Sequence, residues 1–259
     1  YPQILSSAKY GTEATKIFND AQKYLKDLVQ KQVCKPKSRL GIWQANSNDQ
    51  EQVYLFDENK NKIETFYFLR QQSDRVSTNG FYKCLADYIC PLNTGKKDYI
   101  GAFVVTAGTE IEDYAVSFEK AGDDYSTIMI KALGDRIVEG LAELCHKKVR
   151  EIFGYGKTEN LTNEALIQEK YRGIRPAPGY PACPDHTEKK KIWNLLNAQE
   201  HTGASLTENF AMHPASTICG YYINHPQSIY FHVGKVGDDQ IAETAKEKGL
   251  SAQEYQKYI

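Results

Sequence analysis

Tyr171-Arg-Gly-Ile-Arg-Pro-Ala-Pro-Gly-Tyr-Pro-Ala-Cys-Pro-Asp-His-Thr-Glu188 splits the chain into two structured halves and can itself be neither a helix interior nor a central strand. Prolines at 176, 178, 181 and 184 lack the N–H donor and fix φ, so a regular ladder cannot run through them. The same residues carry two arginines, two tyrosines, a cysteine and a histidine, which a solvated linker does not need. A long loop that is stiff and chemically loaded is a candidate binding loop; the bland alternative is a proline-rich surface loop without a ligand. In the binding reading the prolines hold an extended arch and Gly179 allows close backbone approach. Arg175 presents a planar fork suited to a carboxylate, and Tyr180 a ring that stacks on a base or faces a cation.

Upstream of the arch, apolar residues from Thr12 to Val33 recur at i, i+3, i+4 and i+7, which predicts an amphipathic helix capped by Thr12. Arg39–Ala45 reads as a strand, and Gln52–Phe56 with Lys62–Leu69 as a hairpin around Asp57-Glu-Asn-Lys-Asn61. Asp98–Ala107 is nearly all apolar, as a strand buried on both faces would be. Asp124–Phe153 is a long helix with a stripe through Tyr125, Ile128, Met129, Ala132, Leu133, Ile137, Leu141, Leu144, Cys145 and Val149. Its Asp135, Glu139 and Glu143 recur at i+4 and read as a solvent-facing acidic row. Thr162–Tyr171 is a short helix leading into the arch.

Downstream, Glu188–Asn197 reads as a helix with Lys189-Lys-Lys191 on a solvated face. Leu206–Met212, Ile218–Asn224 and Ser228–Val236 read as strands, and Asp238–Lys248 and Ser251–Ile259 as closing helices. The pattern predicts an α+β fold: a single domain over 1–259, with a mainly antiparallel β-sheet, flanking helices and the proline-rich binding loop. A strand–GxGxxG–helix unit is absent, which argues against a dinucleotide-binding fold.

A net charge of −1 gives no electrostatic case for nucleic acid or an anionic membrane surface. No apolar run approaches the roughly 18 residues of a membrane span. Cysteines at 34, 84, 90, 145, 183 and 219 are scattered without a C-x-x-C pair, which suits reduced thiols in a cytoplasmic protein. The chain opens at Tyr1-Pro2 without Met and reads as a piece of something longer.

Three chemistries remain. Cys183, Asp185 and His186 with His225 or His232 are possible metal ligands, but at no standard zinc spacing. Cys183 with His186 is a possible nucleophile pair lacking an orienting group. The third is a small-molecule pocket. Arg175 would clamp a carboxylate, Glu139 and Glu169 would hold a cation, and backbone around Ala177 and Gly179 would read a base edge. Tyr180, Tyr230 and Phe231 would supply ring faces. S-adenosylmethionine fits that set, as do other aminoacyl nucleosides.

The arch residues 171–188 also resemble the signature of the activation domain of cobalamin-dependent methionine synthase. So do Thr207-Glu-Asn-Phe-Ala-Met-His-Pro-Ala215, Gly220-Tyr-Tyr222, His225-Pro226 and Tyr230-Phe-His-Val-Gly-Lys235. Leu69-Arg-Gln-Gln72, Cys84-Leu-Ala-Asp87, Asp98-Tyr-Ile-Gly-Ala-Phe103, Asp123-Asp-Tyr125 and Lys131-Ala-Leu133 are similar to the same family, so the likeness is colinear along the chain. It implies a domain that binds S-adenosylmethionine and docks on the cobalamin-binding domain of a methyltetrahydrofolate–homocysteine methyltransferase. There, with an electron from flavodoxin or a flavoprotein reductase, cob(II)alamin is returned to methylcobalamin. The isolated domain is not expected to turn over.

By motif position the resemblance implies that Arg175 binds the ligand carboxylate and that Ala177 and Gly179 give backbone contacts. It puts Tyr180 between ligand and corrin, Tyr230 and Phe231 on the pocket wall, and Glu139 and Glu169 near the cationic end. Asp135 is implied to hold the histidine released from cobalt, and Glu143 stays a solvated charge. Two departures stand out. The family carries an Asp-Trp-Thr-Pro-Phe-Phe-like stretch just upstream of the position of Tyr1, whose Asp contacts the ligand's amino group, and its lack here implies lower affinity. His213 stands where some relatives have Trp. The rival readings are a protein–protein adaptor that recruits a flavin reductase beside a vestigial pocket, and a metal-dependent hydrolase using Cys183, Asp185 and His186.

Overall fold

Strand β4 (Asp98–Thr106) lies at the centre because every residue from Ile100 onward is buried. Its alternating side chains feed two cores: Ile100, Ala102 and Val104 enter one, Phe103 and Val105 the other. The computed structural model describes residues 2–72 and 80–259. Strands β1 (Lys37–Ser47), β2 (Gln52–Phe56), β3 (Lys62–Tyr67) and β7 (Thr217–Tyr222) join β4 in one sheet of order β3-β2-β1-β4-β7. Every pairing is antiparallel, with Ile42 opposite Gly101 and Val104 opposite Cys219.

Helices α6 (Glu188–Leu196) and α7 (Ala198–Thr202) contribute Ile192, Trp193, Leu196 and Ala198 to the core on one face. On the other face lie α2 (Gly11–Gln30), α3 (Thr109–Lys120) and the long α4 (Asp124–Ile152). Short helices α1 (Pro2–Leu5), α5 (Asn163–Ile167), α8 (Asp238–Glu247) and α9 (Ala252–Tyr255) complete the fold, with a two-stranded ribbon of β5 (Ser205–Leu206) and β6 (Met212–His213). The α+β class, the antiparallel sheet and the β2–β3 hairpin are as the sequence predicts.

Several expectations need correction. The stretch 206–212 is not one strand. Thr207 N bonds back to Ala211 O (2.9 Å) and Phe210 takes a left-handed φ of 58°, so the chain folds into the β5–β6 turn. Ser228–Val236 is irregular rather than a strand, because its backbone is satisfied piecemeal: Val233 N donates to Pro181 O (2.8 Å) and Gln71 Nε2 donates to His232 O (2.7 Å). Lys189 is buried, not solvated; its Nζ donates to Phe210 O at 3.1 Å, while Lys191 Nζ lies 4.0 Å over the Tyr67 ring.

Helix α2 begins at Gly11 with Tyr10 at its cap, and α5 is shorter than predicted, capped by Thr162 Oγ1 on Ala165 N. The buried face of α4 is also rotated from the predicted stripe. Tyr125, Ile128 and Leu144 are exposed, while Ile130, Val138, Ala142, His146 and Arg150 turn inward.

Candidate functional site

The arch attaches itself to the open edge of β7. Ile174 and Ile223 exchange N–H···O bonds of 2.9 and 3.0 Å, and Tyr221 N donates to Pro176 O at 2.9 Å. Proline is tolerated at this edge position because Pro176 contributes only its carbonyl, accepting from Tyr221 N, and the pairing stops there for want of the return donor. At the tip Gly179 N donates to Cys183 O (2.7 Å), Tyr180 N to Ala177 O (3.2 Å) and Cys183 N to Tyr180 O (2.8 Å). Gly179 has a φ of 92°, and a Cβ there would stand 2.5 Å from Cε1 of His186, so this turn admits only glycine. The Val233–Pro181 bond then ties the returning limb to the 228–236 stretch.

Under the arch is a cavity of about 370 Å³, walled by Arg175, Pro176, Ala177, Tyr180, Pro181, Ala182, Ile218, Tyr230, Phe231 and His232. Five of the nine predicted site residues therefore meet on one cavity, and Gly179 shapes the turn beside them. Tyr180 is 64% exposed at the mouth, whereas Phe231 is 9% exposed in the wall. Tyr230 Oη accepts from Arg175 N at 3.0 Å, and burial pushes its phenol above the ordinary value. Two larger clefts, beside Trp43 and Tyr99 and between Tyr67 and Phe210, contain none of the predicted residues.

The Arg175 guanidinium is anchored from behind. Nη1 donates to Glu143 Oε2 (2.7 Å) and to Tyr171 Oη (2.5 Å) and lies 3.3 Å from His146 Nδ1. Burial, and then the positive charges of Arg150 and Arg175, push His146 down to about 2, so this imidazole stays neutral. Glu143, read from sequence as a solvated charge, is thus a partly buried partner of the central arginine.

The remaining predicted residues lie apart from the cavity wall. Glu139 faces solvent and pairs with Arg136 at 2.8 Å. Glu169 is exposed with a left-handed φ of 52°, and its charge helps raise the Tyr171 and Tyr230 phenols. Asp135 accepts from Ser216 Oγ (3.0 Å) beside a second cavity of about 290 Å³, which also involves Ile111, Glu112, Lys131 and Pro214.

The metal and nucleophile candidates are engaged in packing. Cys183 is buried in the core, and burial holds its thiol well above the usual range, opposite to what a nucleophile needs. Asp185 is occupied by Lys248 Nζ (2.6 Å), Tyr255 Oη (2.9 Å) and Thr187 N (2.8 Å). Among the described residues no group of three or more His, Cys, Asp or Glu is placed to hold a metal ion.

An antiparallel sheet clad in helices, closing a stiff arch over an apolar cavity with one guanidinium, has the make-up of a small-molecule-binding domain. The chain matches the family described as "Vitamin B12 dependent methionine synthase, activation domain" over residues 1–249, and it belongs to that family. It is also similar to a crystal structure described as the MetH reactivation domain bound to AdoHcy. Sequence identity is 44% and the TM-score 0.95, over 100% of this chain and 79% of that one. The fold likeness and the family match agree with the resemblance carried by the arch.

Proposed function

We propose that this chain binds S-adenosylmethionine beneath the proline arch and positions it for reductive methylation of cobalamin held by another domain of the parent methionine synthase. The observation that carries this reading is the state of Arg175. Its hydrogen bonds to other described residues all run from Nη1 or the backbone N, so Nε and Nη2 are left for a ligand in an apolar cavity. A carboxylate is the group that fork matches. Walls of Pro, Ala, Phe and Tyr suit the nucleoside, and 370 Å³ is in the size range of small-molecule sites. The relative bound to AdoHcy supports the same ligand class.

In this reading Ala177 and Gly179 offer backbone groups to the base and Tyr180, at the mouth, faces the corrin. Tyr230 and Phe231 pack against the ligand. Glu169 and Glu139 serve its cationic end, which requires Glu139 to leave Arg136, and Asp135 receives the displaced histidine. S-adenosylmethionine supplies the methyl group, and flavodoxin or a flavoprotein reductase the electron. The protein's contribution is positioning rather than acid–base chemistry. The parent would be a methyltransferase of methionine biosynthesis. Six free cysteines suit a reducing cytoplasm, and no described helix is long and apolar enough to cross a membrane.

Calorimetric titration with S-adenosylmethionine tests the assignment. Arg175→Ala is expected to lose about 1.5–3 kcal/mol, roughly 10- to 150-fold in Kd. An alanine variant that binds as tightly as the parent would overturn the role of Arg175. A parent that binds no nucleoside would leave the adaptor reading in its place.

A further inference from the structure

We infer that Glu143, with Tyr171 and Arg150 behind it, is a positioning residue: it sets which edge of the Arg175 guanidinium faces the arch cavity, and so the preference for a carboxylate-bearing ligand. This rests on the reading of the pocket proposed above.

Neither Glu143 nor Tyr171 lines the cavity, yet both fix the same nitrogen of Arg175. Tyr171 Oη accepts from Nη1 at 2.5 Å while donating to Glu143 Oε2 at 3.3 Å, so the three groups close a small ring of bonds. An arginine side chain has several rotatable bonds, and two-pronged recognition of a carboxylate needs the guanidinium plane held in one orientation. Pinning Nη1 from the helix side supplies that orientation without using the edge that meets the ligand.

Arg150 keeps the anchor in place. It is wholly buried, with Nε donating to Glu159 at 2.9 Å and its guanidinium 4.0 Å over the Tyr171 ring. Its Nη1 lies 3.9 Å from Glu143 Oε1, and none of Nη1, Nη2 or Oε1 has a hydrogen-bond partner among the described residues. Glu143 is therefore the carboxylate shared between two guanidinium groups. Buried charge pairs of this kind add little net stability compared with apolar packing of equal volume. An orientation requirement accounts for the cluster better than stability does. Without Glu143, Arg175 and Arg150 would face each other as like charges across Tyr171, and Arg175, the one at the cavity, is free to swing outward.

The test compares S-adenosylmethionine with decarboxylated S-adenosylmethionine, the same sulfonium nucleoside lacking the carboxylate, by calorimetry on the 259-residue chain. Glu143→Ala is expected to weaken S-adenosylmethionine about tenfold and the decarboxylated ligand less than about twofold, since only the first uses the Arg175 fork. Glu143→Gln keeps an oxygen for Nη1 and should recover part of that loss. Tyr171→Phe should show the same selective pattern at about threefold, and with Glu143→Gln it decides the matter if the alanine variant does not fold. Equal losses for both ligands, or no loss for either, would overturn the inference while leaving the pocket assignment standing. A parent that binds the two ligands equally defeats both the inference and the carboxylate role of Arg175, and that result is visible before any substitution is made.

Discussion

His146 shows how position on a helix decides the chemistry of a single side chain. It projects from α4 between the guanidinium groups of Arg150 and Arg175 and stacks on Tyr222 at 5.2 Å. Burial first, and then those two charges, lower its pKa from 6.5 to about 2. The unfolded chain takes up a proton near pH 6.5 that the folded chain refuses until about pH 2. Stability from this group is complete above 6.5 and declines through that window as pH falls, by at most about 1.4 kcal/mol per pH unit. Urea unfolding of the parent and His146→Phe at pH 7, 6, 5 and 4 checks it. Phenylalanine keeps the ring contacts and cannot titrate, so the acid slope should become shallower by up to one proton. Equal slopes in the two proteins would contradict the assignment.

Glu143 marks the limit of sequence reading at this scale. An i, i+4 row winds round a helix by about 40° per step, so Asp135 and Glu143 stand about 80° apart and need not share one environment. Spacing alone cannot say which member of the row meets the arch. Lys189 misleads in the same way, since the run Lys189-Lys-Lys191 has no mark of the carbonyl of Phe210 waiting 21 residues downstream.

Among the elements, β4 and the β2–β3 hairpin are legible because hydrophobic period and turn chemistry are local signals. Helix α3 carries Ile111, Tyr114, Ala115 and Phe118 at helical spacing, but only Ile111 and Ala115 are buried and the stripe is narrow. The 228–236 stretch looks like a strand for its Tyr, Phe and Val. Beyond its first residue its hydrogen-bond partners include the arch, Gln71 and Tyr88, distant segments that no local pattern reveals. The seam between arch and β7 is tighter still. A Cβ on Gly220 would stand 2.6 Å from Pro176 O and 3.0 Å from the Phe103 ring. Gly220→Ala must push the arch off the strand at the point where Tyr221 N bonds Pro176 O. Overpacking of this kind should cost about 1–3 kcal/mol in urea unfolding, with weakened S-adenosylmethionine binding in the same variant. A variant with parental stability and affinity would show that the seam yields without consequence.

At the scale of the whole molecule the arch is held from two directions. Its first limb belongs to the sheet through β7, and its second limb belongs to the C-terminal segment. Tyr255 is fully buried and donates to Asp185 at 2.9 Å, while His186 N donates to Tyr258 O at 2.8 Å. Tyr258 also sets its ring edge-on to Phe210 at 5.1 Å, next to the β5–β6 turn. Residues 250–259 thus support the same turn whose Gly179 rests against the His186 ring. Removing them empties the site of a buried aromatic, which by comparison with large-to-small core changes should cost about 3–5 kcal/mol. It also leaves Asp185 to Lys248 and Thr187. The shortened chain should show a lower urea midpoint together with weaker S-adenosylmethionine binding, because the tip carrying Tyr180 loses its backing. Tyr255→Phe separates the two contributions: it keeps the ring and removes one buried hydrogen bond, at a cost of about 1 kcal/mol. If the shortened chain kept the parental midpoint and affinity, the second limb would have to be held by its contacts with the 228–236 stretch and Lys248.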